Sequence, residues 1–186
     1  MNPVDGWVLR EGTTPRDQYS ASNFLVAGYA YAEVPLGKFD ITGGVRLEHN
    51  ILQLDGNSGS APLTVNQPIT SVLPSVNMGY NINEKTVYRL AYSRTVNRHE
   101  FREIAPFLFY DFELDAEKIG NENLTTATID NFDMRYEFYP NKGETVSIGG
   151  FYKYFNNPIE TISPSSQSNE DLLTSIQTMP TSTVLN

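Results

Sequence analysis

Between residues 71 and 96 the chain alternates apolar and polar positions in two runs, SVLPSVNMGYNI and TVYRLAYSRTV, joined by the polar turn Asn83-Glu84-Lys85. In the first run Val72, Val76, Met78, Tyr80 and Ile82 share one parity, while Ser71, Ser75, Asn77, Gly79 and Asn81 take the other, broken by Leu73. In the second, Tyr88, Leu90, Tyr92 and Val96 oppose Arg89, Ala91, Ser93, Thr95 and Asn97, with Arg94 the charged intruder on the apolar side. A repeat of two is the signature of a strand, so this stretch predicts a hairpin with one apolar face. That face belongs either on the core of a soluble sheet or against lipid on the outside of a membrane barrel.

The same period recurs elsewhere. Residues 23–34 set Phe24, Val26, Ala30, Ala32 and Val34 against Tyr29, Tyr31 and Glu33, a pattern that marks the outer face only weakly, and Pro35-Leu36-Gly37-Lys38 forms a turn. Phe39, Ile41, Gly43, Val45 and Leu47 then alternate with Asp40, Thr42, Gly44, Arg46 and Glu48. Residues 125–139 place Phe132, Met134, Tyr136 and Phe138 opposite Asn131, Asp133, Arg135 and Glu137; after a turn at Pro140-Asn141-Lys142-Gly143, Val146, Ile148, Gly150, Tyr152 and Tyr154 alternate in turn.

Three longer stretches lie between these strands. Residues 53–67, carrying DGNSGSAP, read as a polar loop. Residues 97–124 form the longest connection, in which Asn97 and Glu100 suggest a capping box for a short helix ended by Pro106. Beyond Asn157-Pro158 the chain is polar, and residues 1–20 read as a loop anchored by Trp7. The expected fold is thus all-β, an antiparallel up-and-down meander of about six strands whose short turns and long loops strictly alternate. Transmembrane barrels have that asymmetry, with tight periplasmic turns and long extracellular loops. Tyr80 and Tyr88 beside one short turn, and Phe138 and Tyr139 beside another, suit an aromatic girdle.

Composition supports this reading. Hydrophobic residues make up only 39% of the 186 positions while aromatics reach 12%, so the apolar surface is skewed toward rings that tolerate an interface. No apolar run approaches the ~20 residues of a transmembrane helix. A net charge of -9 argues against nucleic acid as a partner. The absence of cysteine removes disulfides and thiolate chemistry. The start, MNPVDGWVLR, lacks the pattern of a secretory signal, so export would require an N-terminus beyond this sequence.

Candidate chemistry is sparse. His49 and His99 have no second ligand at metal spacing, and Asp111, Glu113, Asp115 and Glu117 lack the glycine and terminal glutamate of a calcium loop. Gly43-Gly44 and Gly149-Gly150 precede no helix, so they are not phosphate loops, and Ser163, Ser165 and Ser166 form no nucleophile elbow. The chain is expected to be no enzyme and to hold no cofactor or metal. Arg46, Glu48, Arg89, Asp133, Arg135 and Glu137 fall on polar strand faces and are the candidate lumen-facing residues, where pairing across strands is the plainest role. Phe107, Phe109, Tyr110 and Phe112, in the longest connection, are candidate solute-contacting residues, because rings in a long loop exceed what solvation needs. Packing against the barrel mouth is the competing role.

Taken in order, LPSVNMGYNINEKTVYRLAYSRTVNRHEFREIAPFLFYDFE, GNENL, IDNFDMRYEFYP and GGFYKYFNNPIE resemble the barrel of TonB-dependent outer-membrane receptors, in particular their outer-membrane β-barrel family branch. Two positions depart from that pattern: His99, where members usually carry Pro, and Glu122 in Gly120-Asn121-Glu122-Asn123-Leu124, where they usually carry GNPNL. The resemblance implies a barrel of about 22 strands in the cell outer membrane. It also implies import of a bulky nutrient, with an N-terminal plug and a segment engaged by TonB. Residues 1–186 are then expected to be a partial transmembrane barrel, with the plug domain and remaining strands absent. Its partners would be outer-membrane lipid, the rest of the barrel and plug, TonB through the missing N-terminal region, and an unknown small solute. The alternative is a soluble or surface-attached β-sheet binding module.

Overall fold

The computed structural model describes residues 18–58, 61–111, 116–162, 173–178 and 182–185. Trp7 lies outside the described residues, as does Phe112. Four strands come first, β1 (Gln18–Leu36), β2 (Phe39–Ser58), β3 (Ala61–Asn83) and β4 (Thr86–Asn97), followed by one helical turn, α1 (Phe101–Ile104). Then come β5 (Leu108–Asp111), β6 (Ala116–Ile119), β7 (Ala127–Phe138), β8 (Val146–Asn156), β9 (Ile159–Ile162), β10 (Leu173–Thr178) and β11 (Ser182–Leu185). The wall is a seven-stranded antiparallel sheet in the order β1-β2-β3-β4-β7-β8-β11, and a separate small sheet runs β5-β6-β10-β9.

Register gives the wall its two faces. Ile41 pairs with Met78, Met78 with Leu90, Leu90 with Met134 and Met134 with Gly150, so the apolar parity of each strand lines up across the sheet. Phe39, Ile41, Val45, Leu47, Val76, Met78, Leu90, Phe132, Met134, Val146 and Ile148 share this outer face. It is uncovered: Met134 is 58% exposed and Ile148 71%. In β1 the register puts Val34 opposite Ile41 and Ala30 opposite Val45, so Tyr29 and Tyr31 point inward with Glu33. Gly44 is needed opposite Tyr31, since a Cβ there would lie 2.9 Å from the tyrosine Cβ.

At the short-turn end the hairpins bind one another. Gly37, with φ of +63°, opens the two-residue turn between Leu36 and Phe39, a conformation that favours glycine. The Lys38 carbonyl accepts from the Asn81 N–H at 2.8 Å, and the Lys85 carbonyl accepts from the Tyr139 N–H at 2.8 Å, tying each turn to the next strand. Phe39 stacks on Tyr80 and Tyr88 meets Tyr136, with ring centroids 4.6 and 5.1 Å apart, which makes an outward aromatic row. Tyr139 is not part of it, because its hydroxyl turns inward to Glu137.

At the other end several expectations are corrected. Residues 53–58 and 61–67 are strand rather than loop, with Gln53 paired to Asn66 and Ser58 to Ala61. Turn-forming composition hid an inner face of Leu52, Leu54 and Val65 that is buried in the fold. Asn97 ends β4 instead of capping a helix; Glu100 is the N-cap and Glu103 completes the capping box, three residues later than expected. The tail beyond Pro158 is not merely polar, since β9 and β10 join the small sheet and β11 extends the wall beside β8. Finally, the β3–β4 ladder stops at Ser75 and Ser93, and Pro74, which has no N–H to offer, stands where it ends. Beyond it β3 stays with β2 while β4 continues with β7 up to Asn97 opposite Ala127.

Candidate functional site

The candidate site is the polar face of the wall, opposite the apolar set, together with the chain that packs against its long-loop end. All six charged residues singled out from sequence lie on that face, because each falls on the parity opposite the outer apolar set. They form separate groups. Arg89 and Arg135 stand directly opposite across β4 and β7, a like-charge pair that requires an anion nearby. Glu137 supplies it: Arg89 Nε donates at 2.9 Å, the Tyr139 hydroxyl donates at 2.9 Å, and Arg135 Nη1 lies at 3.6 Å. Glu137 is buried beneath them. Asp133 is exposed opposite Ala91 and makes no ion pair among the described residues. Arg89, Asp133 and Arg135 border a basin of about 610 Å³ with Asp40, Thr42 and Asn77.

The third group sits higher. Arg46 Nε donates to Glu48 at 2.6 Å, and Arg98 Nη2 donates to the other carboxylate oxygen. Sequence reasoning missed Arg98, because it follows the last residue of β4 and belongs to no strand face. Through it the wall grips the start of the crossing segment. His99, next in the chain, is buried, and that burial holds its imidazole below its ordinary value of 6.5.

The crossing segment packs inward. Ile104, Ala105 and Leu124 bury against Leu52, Leu54 and Val65, with Phe101, Phe107 and Phe109 against the edge of the cluster. Burial of this kind, at ~1.5–3 kcal/mol for each larger side chain, outweighs any single polar contact here. Gly120 passes so close to the end of α1 that a Cβ would collide with the Ala105 carbonyl. The Asn121 N–H then donates to the Glu103 carbonyl at 2.7 Å, and its side-chain oxygen accepts from the Asn123 N–H at 3.0 Å. Gln67 on β3 donates to the carbonyls of Glu122 and Leu124 at 3.2 and 3.4 Å. Within GNENL the glycine thus permits the close approach, the first asparagine builds the turn, and the leucine is buried.

Of the four aromatic candidates, Phe107 stacks on Tyr19 with centroids 5.4 Å apart, and Phe109 lies under the Arg102 guanidinium at 5.4 Å. Tyr110 lies on β5. The signal that would have found the cluster is the switch of β2's inner parity from Asp40, Thr42, Arg46 and Glu48 to Leu52 and Leu54. Among the described residues no group of acidic or histidine side chains is arranged to hold a metal ion.

An antiparallel wall with an exposed apolar outside, a charged inside, tied short turns on one rim and an inward-packed segment at the other defines a transmembrane β-barrel. The chain belongs to the Outer membrane protein beta-barrel family, which it matches over residues 5–179. Among solved structures it is similar to the siderophore receptor PirA from Pseudomonas aeruginosa, with a TM-score of 0.57 and 15% identity over 90% of this chain and 38% of that one. It is likewise similar to a mutant of the ferric enterobactin receptor PfeA from Pseudomonas aeruginosa in complex with enterobactin, with a TM-score of 0.55 and 15% identity over 90% of this chain and 33% of the receptor. At such identity the likeness is one of fold, and the chain spans 38% of the first receptor and 33% of the second. No curated protein matches it. The chain is therefore an outer-membrane β-barrel protein by family, and it shares the fold of the barrel wall with these receptors.

Proposed function

We propose that this segment forms part of the wall and mouth of a receptor that imports a bulky nutrient, with solute entering from the long-loop side and TonB acting through a plug. The observation that carries the reading is the packing of Phe101, Ile104, Ala105, Phe107, Phe109 and Leu124 against Leu52, Leu54 and Val65 of the β2–β3 extension, above a charged wall. A barrel that served only as an anchor has no need to fold a long aromatic loop into its own mouth. In this reading Arg46, Glu48, Arg89, Asp133, Arg135 and Glu137 face the plug or the solute, and Phe107, Phe109, Tyr110 and Phe112 help to enclose the solute. The soluble-module alternative needs a second layer over Phe132, Met134 and Ile148, and the described residues supply none. A receptor and transporter of this type works by binding and passage rather than by catalysis.

The test replaces Phe109 and Tyr110 together with Ala in the full-length protein. Uptake of a solute identified for it should fall by about tenfold, the contribution of two ring contacts, while heat-modifiable gel mobility shows an assembled barrel. Unchanged uptake, or loss of assembly, would return these rings to packing alone.

A further inference from the structure

The outward face of β4, β7 and β8 carries an apolar hollow and a polar one side by side. The first, of about 550 Å³, is lined mainly by Val76, Leu90, Tyr92, Phe132, Met134 and Tyr152 about Gly150, with Ala91, Asp133 and Phe151 of the other parity at its floor. All but the three floor residues share the outer parity, and Gly150, opposite Met134, brings no side chain to the wall there. The second, of about 400 Å³, is lined by Tyr92, Arg94, Asp130, Phe132, Tyr152 and Tyr154, so Tyr92, Phe132 and Tyr152 border both.

The polar hollow is built around an ion pair on the lipid side of the wall. Arg94 donates to Asp130 from Nε at 2.8 Å and from Nη2 at 3.0 Å, and the Tyr92 hydroxyl donates to the same carboxylate at 2.8 Å. Asp130 is thereby saturated and only 12% exposed, while Arg94 remains 42% exposed and its Nη1 takes no part in the pair. Arg94 stands eight positions beyond Thr86, where β4 begins. At ~3.3 Å per residue and a tilt of ~45°, that places it about 19 Å up an apolar band of ~25 Å, near its upper edge on the long-loop side. A charge is tolerated there only near the headgroups, and a guanidinium with a free nitrogen matches phosphate geometry.

We propose that this face binds one phosphorylated lipid of the outer leaflet, its acyl chain in the hollow over Gly150 and its phosphate on Arg94. The aspartate aims the guanidinium; the aromatic residues common to both hollows seat the glycerol or sugar region between chain and phosphate.

Native mass spectrometry of the full-length protein in detergent tests the assignment, with a diphosphorylated glucosamine lipid, its dephosphorylated form, and inorganic phosphate as probes. The intact protein should retain one phosphorylated lipid and hold the dephosphorylated form about tenfold more weakly, as expected for one charge-assisted contact. Arg94→Gln combined with Asp130→Asn, which removes both charges without stranding either, should abolish that preference. Gly150→Leu should reduce retention of both lipids by filling the hollow. Equal retention of the two lipids by the intact protein, retention unaltered in both variants, or displacement of the lipid by millimolar inorganic phosphate would each overturn the proposal.

Discussion

His99 shows how far one side chain can depend on its surroundings. It stands between Arg98, which grips Glu48, and Glu100, which caps α1, and it is buried without a partner for Nδ1 among the described residues. Desolvation disfavours the imidazolium, so its folded value lies below the ordinary 6.5. As pH falls, the unfolded segment therefore takes up the proton first. The packing of His99, Ile104, Ala105 and Leu124 should be at full strength above about pH 6.5 and weaken as pH falls through that value toward the lowered one. Hydrogen exchange of this segment at about pH 7.5 and about pH 5.5 checks it: protection should drop at the lower pH in the intact protein, and His99→Leu should flatten the response. Gly120 is the complementary case, a residue whose absent side chain allows the chain to pass the Ala105 carbonyl.

At the scale of elements, parity decides what each strand position tolerates. Met134 faces outward and is exposed, whereas Ala91 faces inward opposite Asp133. Met134→Arg should destabilise the assembled barrel by about 2–4 kcal/mol if that position lies at mid-depth, falling toward the interfaces. Ala91→Arg should change stability by less than about 1 kcal/mol, since it gains a carboxylate neighbour in lumen water. Urea unfolding of the full-length protein in lipid separates the two, and equal costs would contradict the assignment of faces. Most of this was legible in the sequence. The runs from Phe39 to Leu47 and from Asn131 to Phe138 alternate without a break, and a slip of one residue would turn every outer side chain inward. The outer face of β1 was poorly marked because Tyr29 and Tyr31 are as apolar as the residues opposite; only pairing with β2 settles it.

For the whole molecule, the uncovered outer face and the unpaired edge of β1 dominate behaviour in water. Among the described residues nothing pairs the outer edge of β1, and Phe24, Val26, Val34 and Leu36 are all exposed there. Unpaired backbone in hydrocarbon costs several kcal/mol per group, and an open edge in water templates aggregation. Residues 1–186 expressed alone should therefore aggregate or require detergent, as measured by light scattering during size-exclusion chromatography. A monodisperse monomer that melts cooperatively without detergent would contradict the barrel-wall reading.

The sequence by itself determined the all-β class, the two faces of most strands, the short turns and the common polar face of the six charged residues, because a period of two is a local property that survives without neighbours. What only the tertiary structure decided depends on contacts between segments far apart in the chain. Residues 53–67 read as loop until the inner face of Leu52, Leu54 and Val65 meets Ile104 and Leu124, and no local pattern announces a partner so far along the chain. The helix cap moved from Asn97 to Glu100 because β4 outlasts its pairing with β3 and stays with β7 as far as Asn97. Arg94, an intruder in the alternation, became half of an ion pair only when β7 brought Asp130 beside it.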